Sequence, residues 1–591
     1  MERNIEYFGP WARTFKYPYQ IATPLFEPYP NAEIVFDTAL KSVNKAKEVL
    51  YQLSEIMPDL TGFSPKKNRF WEILYGHLVV VMCGKIQDMI QRYESLPQDD
   101  YVLGTPNNLS AICKPQTWDQ SKILVNREFI PHITSDFLSR KFNNTESIDY
   151  IYEEVDFPAD ETKPNYRSIL QASIAQLNNY SRFFHKRSLV SKLVPGARNH
   201  EKIKSLIWDT EYLFKGIKQD VFVCKDEIIM NSNSVDFGEI NIDEDKRNEL
   251  CNKISFPYGF ALANTIPASA FEGLRQVVSN IDLSFLNKYK NLKRIYTHSQ
   301  ILVSDDYDRV AACLLVDQGI QIVSMTHGGY GYYSHPIVFL EGDLNDEFIS
   351  WGFKRWGYST DSEKESLALK NPKPFPSLKL SKLKYGNHTV KRDSRQHKSW
   401  ETVLLLLTES KKIKWLYNPL LPDMAHDYYS RQKVLLDFFG CRPRTLAKLY
   451  PKEFGWNQRL WIENEYPQVT IEYKKKNFID HAQNAEISII DYNSTGFNQV
   501  IVLELPFVCT WNRRWFRGDD LFEECLQELE KVGIYYDHPS KLINAYTKEI
   551  SSDIESWWRD SSRIEAVRLL AKNFALTSPN YQSEWYNELS R

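Results

Sequence analysis

From residue 37 the apolar positions keep a helical period. In DTALKSVNKAKEVLYQLSEIM they fall at Leu40, Val43, Ala46, Val49, Leu50 and Leu53. NRFWEILYGHLVVVMCGKIQDMIQRYESL continues as a longer, more apolar helix that ends near Pro97. Residues 98–260 are mixed in pattern, and within them SILQASIAQLNNYSRFFHKRSL reads as a helix. After about residue 265 helix and strand periods alternate. ASAFEGLRQVVSNI reads as helix and RIYTHSQILVS as a strand running into a loop. DYDRVAACLLVDQG reads as a helix with an acidic first turn and a glycine stop, and IQIVSM as a strand. Strand–helix–strand order marks a parallel α/β layer, because a parallel connection needs a crossover that packs on the sheet.

Residues 370–400 interrupt the series. Pro372, Pro374 and Pro376 break regular structure, and nine Lys or Arg face one acid, Asp393. This reads as a solvated linker at a domain boundary, with a basic loop at an anionic membrane surface as the second reading. Beyond it ETVLLLLTES opens a second α/β series with a strongly apolar strand. RQKVLLDFFG, FIDHAQNA and STGFNQVIVLE read as helices; TLAKLYP, QVTIEY, EISIID and LPFVCTW read as strands. DLFEECLQELEKVG and PSKLINAYTKEISSDIESWW are late helices. The expected fold class is therefore α/β, with two Rossmann-like domains facing a cleft and a helical N-terminal region. The N-terminal domain spans 1–385, helical over about 37–200 and α/β over about 265–360; the C-terminal domain spans 386–591 and ends in helices. Ligands of open α/β sheets sit at the carboxyl ends of the strands, so the cleft is the expected site.

A length of 591 residues agrees with two large domains. The net charge of −3 offers no broad basic field, which argues against nucleic acid as a partner. Eight scattered cysteines without a C-x-x-C pair fit reduced thiols better than a disulfide framework or a zinc site. The N-terminus MERNIEYFGPWARTFKYPY has no apolar signal core. The longest apolar run, ILYGHLVVVMCG, is broken by His77 and falls short of the ~20 residues a bilayer span needs. The expectation is a cytoplasmic protein, with peripheral contact at the inner membrane left open.

Three segments carry candidate chemistry. IQIVSMTHGGYGYYSHP sets His327, Gly328, Gly329 and Gly331 after a strand. It lacks the G-K-[ST] of a P-loop and the spacing of the dinucleotide fingerprint, leaving free N–H groups suited to an anion or a sugar. His327 would be a general base or a donor to a phosphate, the alternative being a tight turn with a satisfied histidine. In ISIIDYNSTGFNQVIVLELPFV a strand ends at Asp491, and Ser494 and Thr495 precede a helix. Hydroxyls and free N–H groups at a helix start suit a phosphate, and an ordinary N-cap is the competing reading. Lys448 in TLAKLYPKEFGW would add a cation to the same cleft, or be a solvated lysine. The triplets at 243–245 and 306–308 are weak metal signals; no metal site and no cofactor are expected.

Three segments in order resemble a bacterial family assigned as transferases and encoded with surface-polysaccharide (O-antigen or capsule) genes. RFWEILYGHLV is similar to its W-x-I-L-x-G-x-W-L segment. THGGYGYY with EGDLNDEFISWGF resembles its H-G-G-x-Y-G and S-W-G-W motifs. LYPKEFGW, IIDYNSTGFNQVIVLELPFVCTWN and VGIYYDHPSKL resemble its C-terminal segments, so that the likeness runs from about 69 to 558. That family is similar to two-domain GT-B glycosyltransferases, and its D-x-x-S-[ST]-x-x-[DE] segment to the donor site of enzymes using cytidine-nucleotide donors. The resemblance implies a metal-independent glycosyltransferase with a nucleotide sugar as co-substrate and a glycan or lipid-linked glycan as acceptor. It implies that Asp491, Ser494 and Thr495 face the donor phosphate, with Lys448 and Gln499 beside them, and that His327 and its glycines face the cleft. Glu341 is a second carboxyl candidate for catalysis. The chain departs from the family at Gln499, where Glu is usual, at Leu78 for Trp and at Lys448 for Arg. Lysine keeps the charge and loses the bidentate fork, which leaves the donor open. A nucleotide-sugar epimerase or hydrolase on the same fold and a non-catalytic polysaccharide assembly protein are the rival readings.

Overall fold

A computed structural model describes residues 28–95, 103–106, 115–118, 145–148, 202–208, 213–214, 217–225, 240–298, 306–326, 328, 338–354, 372–386, 402–407, 409, 421, 424–451, 454–473 and 478–591. Chain order begins with two long helices. In α1 (Ala32–Thr61) the Asn31 side chain accepts from the Ile34 N–H at the start, and Gly62 at φ 65° ends the helix. Its buried stripe (Val43, Ala46, Val49, Leu50, Leu53) is the one the period predicts. It packs along α2 (Arg69–Glu94), whose Phe70, Trp71, Tyr75, Val79 and Met82 are fully buried. By length and composition α2 could cross a membrane, more than the run around His77 suggested, but most of it lies inside the core.

The first sheet has strands β1 (Ser205–Ile207), β2 (Phe222–Cys224), β3 (Arg294–Thr297), β4 (Gln321–Met325), β5 (Glu347–Ser350) and β6 (Lys373–Pro374). All pair in parallel, in the order β2-β1-β3-β4-β5-β6. The helix α3 (Asp306–Asp317) makes the crossover from β3 to β4 and packs on α2. After β6 comes α4 (Leu378–Tyr385), capped by Ser377. The second sheet has β7 (Val403–Leu406), β8 (Thr445–Lys448), β9 (Thr470–Glu472), β10 (Ile487–Ile490), β11 (Phe507–Thr510) and β12 (Tyr535–Tyr536). These too are parallel, in the order β9-β8-β7-β10-β11-β12. This is the doubly wound order, with β7 and β10 flanking the point where the chain reverses direction across the sheet. Helices α5 (Ala425–Phe439), α6 (Gln458–Glu465), α7 (Thr495–Val502), α8 (Ser561–Phe574) and α9 (Tyr581–Leu589) follow in chain order. The architecture is two Rossmann-like parallel sheets preceded by a helical N-terminal region, as the alternating pattern predicts. A separate parallel pair, Leu103–Pro106 with Thr145–Ile148, belongs to neither sheet.

Both ends of the described chain tie the two halves together. At the front of α1, Ala32 N–H donates to the Arg514 carbonyl at 2.8 Å, and Phe36 lies in the core of the second half. At the other end, α9 crosses to the first sheet. There Ser205 Oγ donates to the Leu589 carbonyl at 2.7 Å and Trp585 Nε1 to the Pro376 carbonyl at 2.8 Å. The Glu588 carboxylate, fully buried, meets Lys373 at 2.6 Å, Arg591 at 3.2 Å and Arg294 at 3.5 Å.

Three local expectations change. Residues 372–386 of the basic, proline-rich stretch are not a solvated linker: Lys373–Pro374 pairs with β5, and α4 buries Leu378, Leu380 and Ser381. Proline is tolerated there because β6 is an edge strand. ASAFEGLRQVVSNI is a short 3-10 turn and then a helix from Leu274, broken at Gly273. A Cβ on Gly273 would stand 2.5 Å from the tip of the Ile240 side chain, which would have to shift to admit it. PSKLINAYTKEISSDIESWW is divided by a π-helical turn over Tyr546–Ile550 and by a fresh Asp553 cap before Ile554. The helix expected over 168–189 lies outside the described residues.

Candidate active site at the reversal of the second sheet

Asp491 directly follows β10, beside β7 at the reversal point. It is 5% exposed, and its Oδ2 accepts from the Tyr428 hydroxyl at 2.9 Å and from Gln432 Nε2 at 2.6 Å. Gln432 Oε1 in turn accepts from Gln458 Nε2 at 2.8 Å. A polar ladder thus runs from α6 through α5 to the strand end, closed off from water. Burial, and then the Asp491 charge, push the Tyr428 hydroxyl well above the ordinary tyrosine value, so Tyr428 stays a donor. One oxygen of the carboxylate thus anchors the turn to α5.

The turn that follows starts α7. Ser494 is its N-cap, its Oγ accepting from the Phe497 N–H at 3.4 Å. Thr495 is the first helical residue. A Cβ built on Gly328 would stand only 2.6 Å from Thr495 Oγ1. Gly328, which follows β4 of the first sheet, therefore brings its backbone close to the helix start of the second, an approach that a side chain at 328 would obstruct. Gly496 is equally confined, since its Cβ would meet Leu406 at 2.9 Å and Phe478 at 3.1 Å. This wedges the N-terminus of α7 against the carboxyl end of β7. The N-terminus of α7 thus stands where Gly328 of the first half meets the second half.

Lys448 ends β8. It pairs in register with Leu406, which pairs with Ile490. Two strand spacings, roughly 10 Å, thus separate Lys448 from the residue before Asp491. Lys448 Nζ donates to the Glu472 carbonyl at 3.4 Å, and burial lowers its pKa, with Glu472 opposing. Gln499 lies in the second turn of α7, 7% exposed. Asn498 is turned elsewhere, its Nδ2 donating to the Phe574 carbonyl at 3.3 Å at the end of α8. Glu341 is on a π-helical turn, Phe339–Asp343, between β4 and β5; it is 2% exposed, and its neighbours Phe339 and Leu340 pack in the α1–α2 core. His327, Gly329 and Gly331 lie outside the described residues. The structure thus gathers Asp491, Ser494, Thr495 and Gln499 on one strand-to-helix turn. It sets Lys448 two strands away, brings Gly328 onto Thr495, and holds Glu341 on a separate turn of the first half.

Sequence reasoning passed over Tyr428, Gln432, Gln458 and Asn493. The glutamines carried a signal: polar residues that interrupt the apolar side of a helix are buried only when bonded. Asn493 carried none. It is 1% exposed and neither atom of its amide has a partner. Beside Asp491 lies a cavity of about 20 Å³, lined also by Tyr428, Thr510, Trp511 and Trp515. That is room for a single water, far below the ~300 Å³ or more of a small-molecule site. The acidic triplets are helix starts: Asp243 caps Glu244–Lys253, and Asp308, in the first turn of α3, pairs with Lys225. Among the described residues no group of three His, Cys, Asp or Glu converges as metal ligands, and none of the seven described cysteines is in a disulfide.

The family model of the LIC12162 family transferase matches residues 2–589. The chain belongs to this family. No curated protein matches it. Two solved structures are similar in fold. One, described as a putative UDP-N-acetylglucosamine 2-epimerase from Listeria monocytogenes, is 13% identical, with a TM-score of 0.32, 63% of this chain and 93% of that one covered. The other, UDP-GlcNAc 2-epimerase from Neisseria meningitidis bound to UDP-GlcNAc, is 10% identical with a TM-score of 0.31, over 63% and 98%. As a LIC12162 family member the chain is a transferase built on two parallel α/β sheets.

Proposed function

We propose that this transferase moves a sugar from a nucleotide-activated donor, cytidine-type donors included, to a bacterial surface polysaccharide or its lipid-linked precursor. The observation that carries the reading is the seat of Gly328 on Thr495. It joins a glycine loop of one half to a phosphate-suited helix start of the other. In this reading the leaving diphosphate lies at the N-terminus of α7, where backbone N–H groups and Lys448 offset the charge that develops on it. No divalent ion is required for that step in this scheme, and chelators leave the rate unchanged. His327, next in sequence to Gly328, enters from the first half as general base for the acceptor hydroxyl or as donor to the phosphate; Glu341 is the second carboxyl candidate. Work at the inner face of the membrane would suit a lipid-linked acceptor.

The test is a thermal-shift screen of the full chain against nucleotides and nucleotide sugars, followed by transfer assays with the donor selected. A ligand at ~100 times its dissociation constant stabilises the fold by roughly 2.7 kcal/mol. Shifts with a nucleotide sugar and acceptor-dependent release of the nucleotide are the expected results. Turnover of the donor alone would favour epimerisation or hydrolysis, and no shift with any nucleotide would refute the reading.

A further inference from the structure

Three buried hydrogen-bonding groups without a protein partner surround one small space in the second half. β11 ends at Thr510, whose hydroxyl is buried and unpartnered. The indole N–H groups of Trp511 and Trp515, on the loop that follows, are buried and unpartnered as well. All three side chains line the cavity of about 20 Å³ beside Asp491. Folded proteins rarely leave a buried donor unbonded, and three around one space point to a shared occupant.

We propose that this cavity is the site of one internal water molecule, which accepts from the indoles of Trp511 and Trp515 and donates to Thr510 Oγ1. Size and chemistry select the occupant. A water needs about 10–15 Å³ of such space, so the cavity admits one and excludes an organic ligand. An indole N–H only donates, so it offers a cation no lone pair. An anion would meet net negative charge. Two carboxylates, Asp427 and Asp491, line the cavity, and the Arg431 guanidinium there is already paired with Asp427 and bonded to the Asp537 carbonyl. Water alone both accepts and donates, and a buried water makes about three hydrogen bonds, one for each group on offer.

The site has a structural role that is independent of the donor-site reading. Ile490 pairs with Cys509, so Thr510 and Asp491 leave neighbouring strands side by side. The loop after Thr510 carries Arg514, whose carbonyl accepts from the Ala32 N–H and whose Nε donates to the Pro30 carbonyl at 2.6 Å. Trp515 clusters with Tyr29, Val35 and Ala39 from the same end of α1. The water therefore pins to the end of β11 the loop on which the N-terminal helix is seated.

The experiment is a crystal structure of the full chain at a resolution that shows ordered waters, with Thr510→Val and Thr510→Ser compared by thermal melting and by hydrogen exchange over 510–516. A density peak within hydrogen-bond distance of Thr510 Oγ1 and of the indole nitrogens is expected, unchanged by a bromide soak. Valine removes one of the water's partners, so Thr510→Val should melt about 2–4 °C lower and exchange faster along the loop. Thr510→Ser keeps the hydroxyl and should keep the peak and the slow exchange. A dry cavity reverses the sign, because valine would then replace an unpaired hydroxyl by a methyl of the same shape. Thr510→Val melting at or above the wild-type temperature therefore overturns the inference. So does a wild-type cavity that shows no peak or takes up bromide.

Discussion

Adding one methyl group at Gly328 probes the contact on which the proposed function depends. The new Cβ would lie 2.6 Å from Thr495 Oγ1, where ordinary contact begins near 3.4 Å. Relief is available because the obstructing atom is the tip of a side chain. Threonine in a helix populates two χ1 wells, and a shift off its preferred geometry costs about 0.5–1.5 kcal/mol. Gly328→Ala should therefore disfavour the seated loop by about 1 kcal/mol, roughly fivefold in the affinity for a ligand that needs the two halves together. Gly328→Val has further methyls to place in the same contact and should cost about 1–3 kcal/mol. Thr495→Ala removes the obstructing oxygen, so the double variant Gly328→Ala/Thr495→Ala should recover most of the Gly328→Ala loss. Calorimetric titration with the nucleotide that wild type takes is the appropriate assay, since a two-domain chain does not unfold in a single two-state step. Wild-type affinity in Gly328→Val, or additivity of the two changes within ~0.3 kcal/mol, would refute the seating of the loop on Thr495.

Gln432→Leu deprives Asp491 of a charge-assisted bond and leaves the Gln458 amide buried without that partner; a loss of about 3–5 kcal/mol in C-terminal-half stability is expected, with partial rescue by Gln458→Leu in denaturant titrations. Glu588→Ala leaves Lys373 and Arg294, at the amino ends of β6 and β3, to share Glu347 and should cost about 1–3 kcal/mol, freeing α9 to limited proteolysis; equal protease resistance would count against this tie. Burial pushes the Cys525 thiol up to about 11 and the Tyr536 hydroxyl up to about 12, and raises Cys83, Cys509 and Tyr428 as well. Each folded pKa lies above its unfolded value, so this stability is complete below the unfolded pKa and is lost as pH rises through the folded one. Melting temperature should thus hold to about pH 8.5 and fall steadily from there to pH 12; a flat profile across that window would refute the burial of these groups. Ser494→Ala should shorten α7 and cost about 1 kcal/mol, visible as faster hydrogen exchange at Phe497.

Much of the frame was legible because it is local. The 3.6 period of α1, the apolar run of β7 and the alternation of strand with helix are each written within a dozen residues. The strands β1 and β2 escaped notice because three residues are too few to show a period. The ordered part of the basic stretch escaped because lysines dominate its composition, while Leu378 and Leu380 make the contacts that bury α4.

What the sequence determined by itself was the kind of element at each place and the residue types available at each strand end: a glycine loop after one strand and hydroxyls before a helix. Which strand stands at the centre of each sheet was decided by pairings between residues tens of positions apart. Tertiary packing also decided that Gly328 of one half approaches Thr495 of the other, that α9 returns to the first sheet, and that Asp491 Oδ2 is bonded to Tyr428 and Gln432. The physical reason is the accounting of hydrogen bonds. A sequence shows which side chains can bond, and only the packed structure shows which are already satisfied, leaving Asn493 with both ends of its amide unspent.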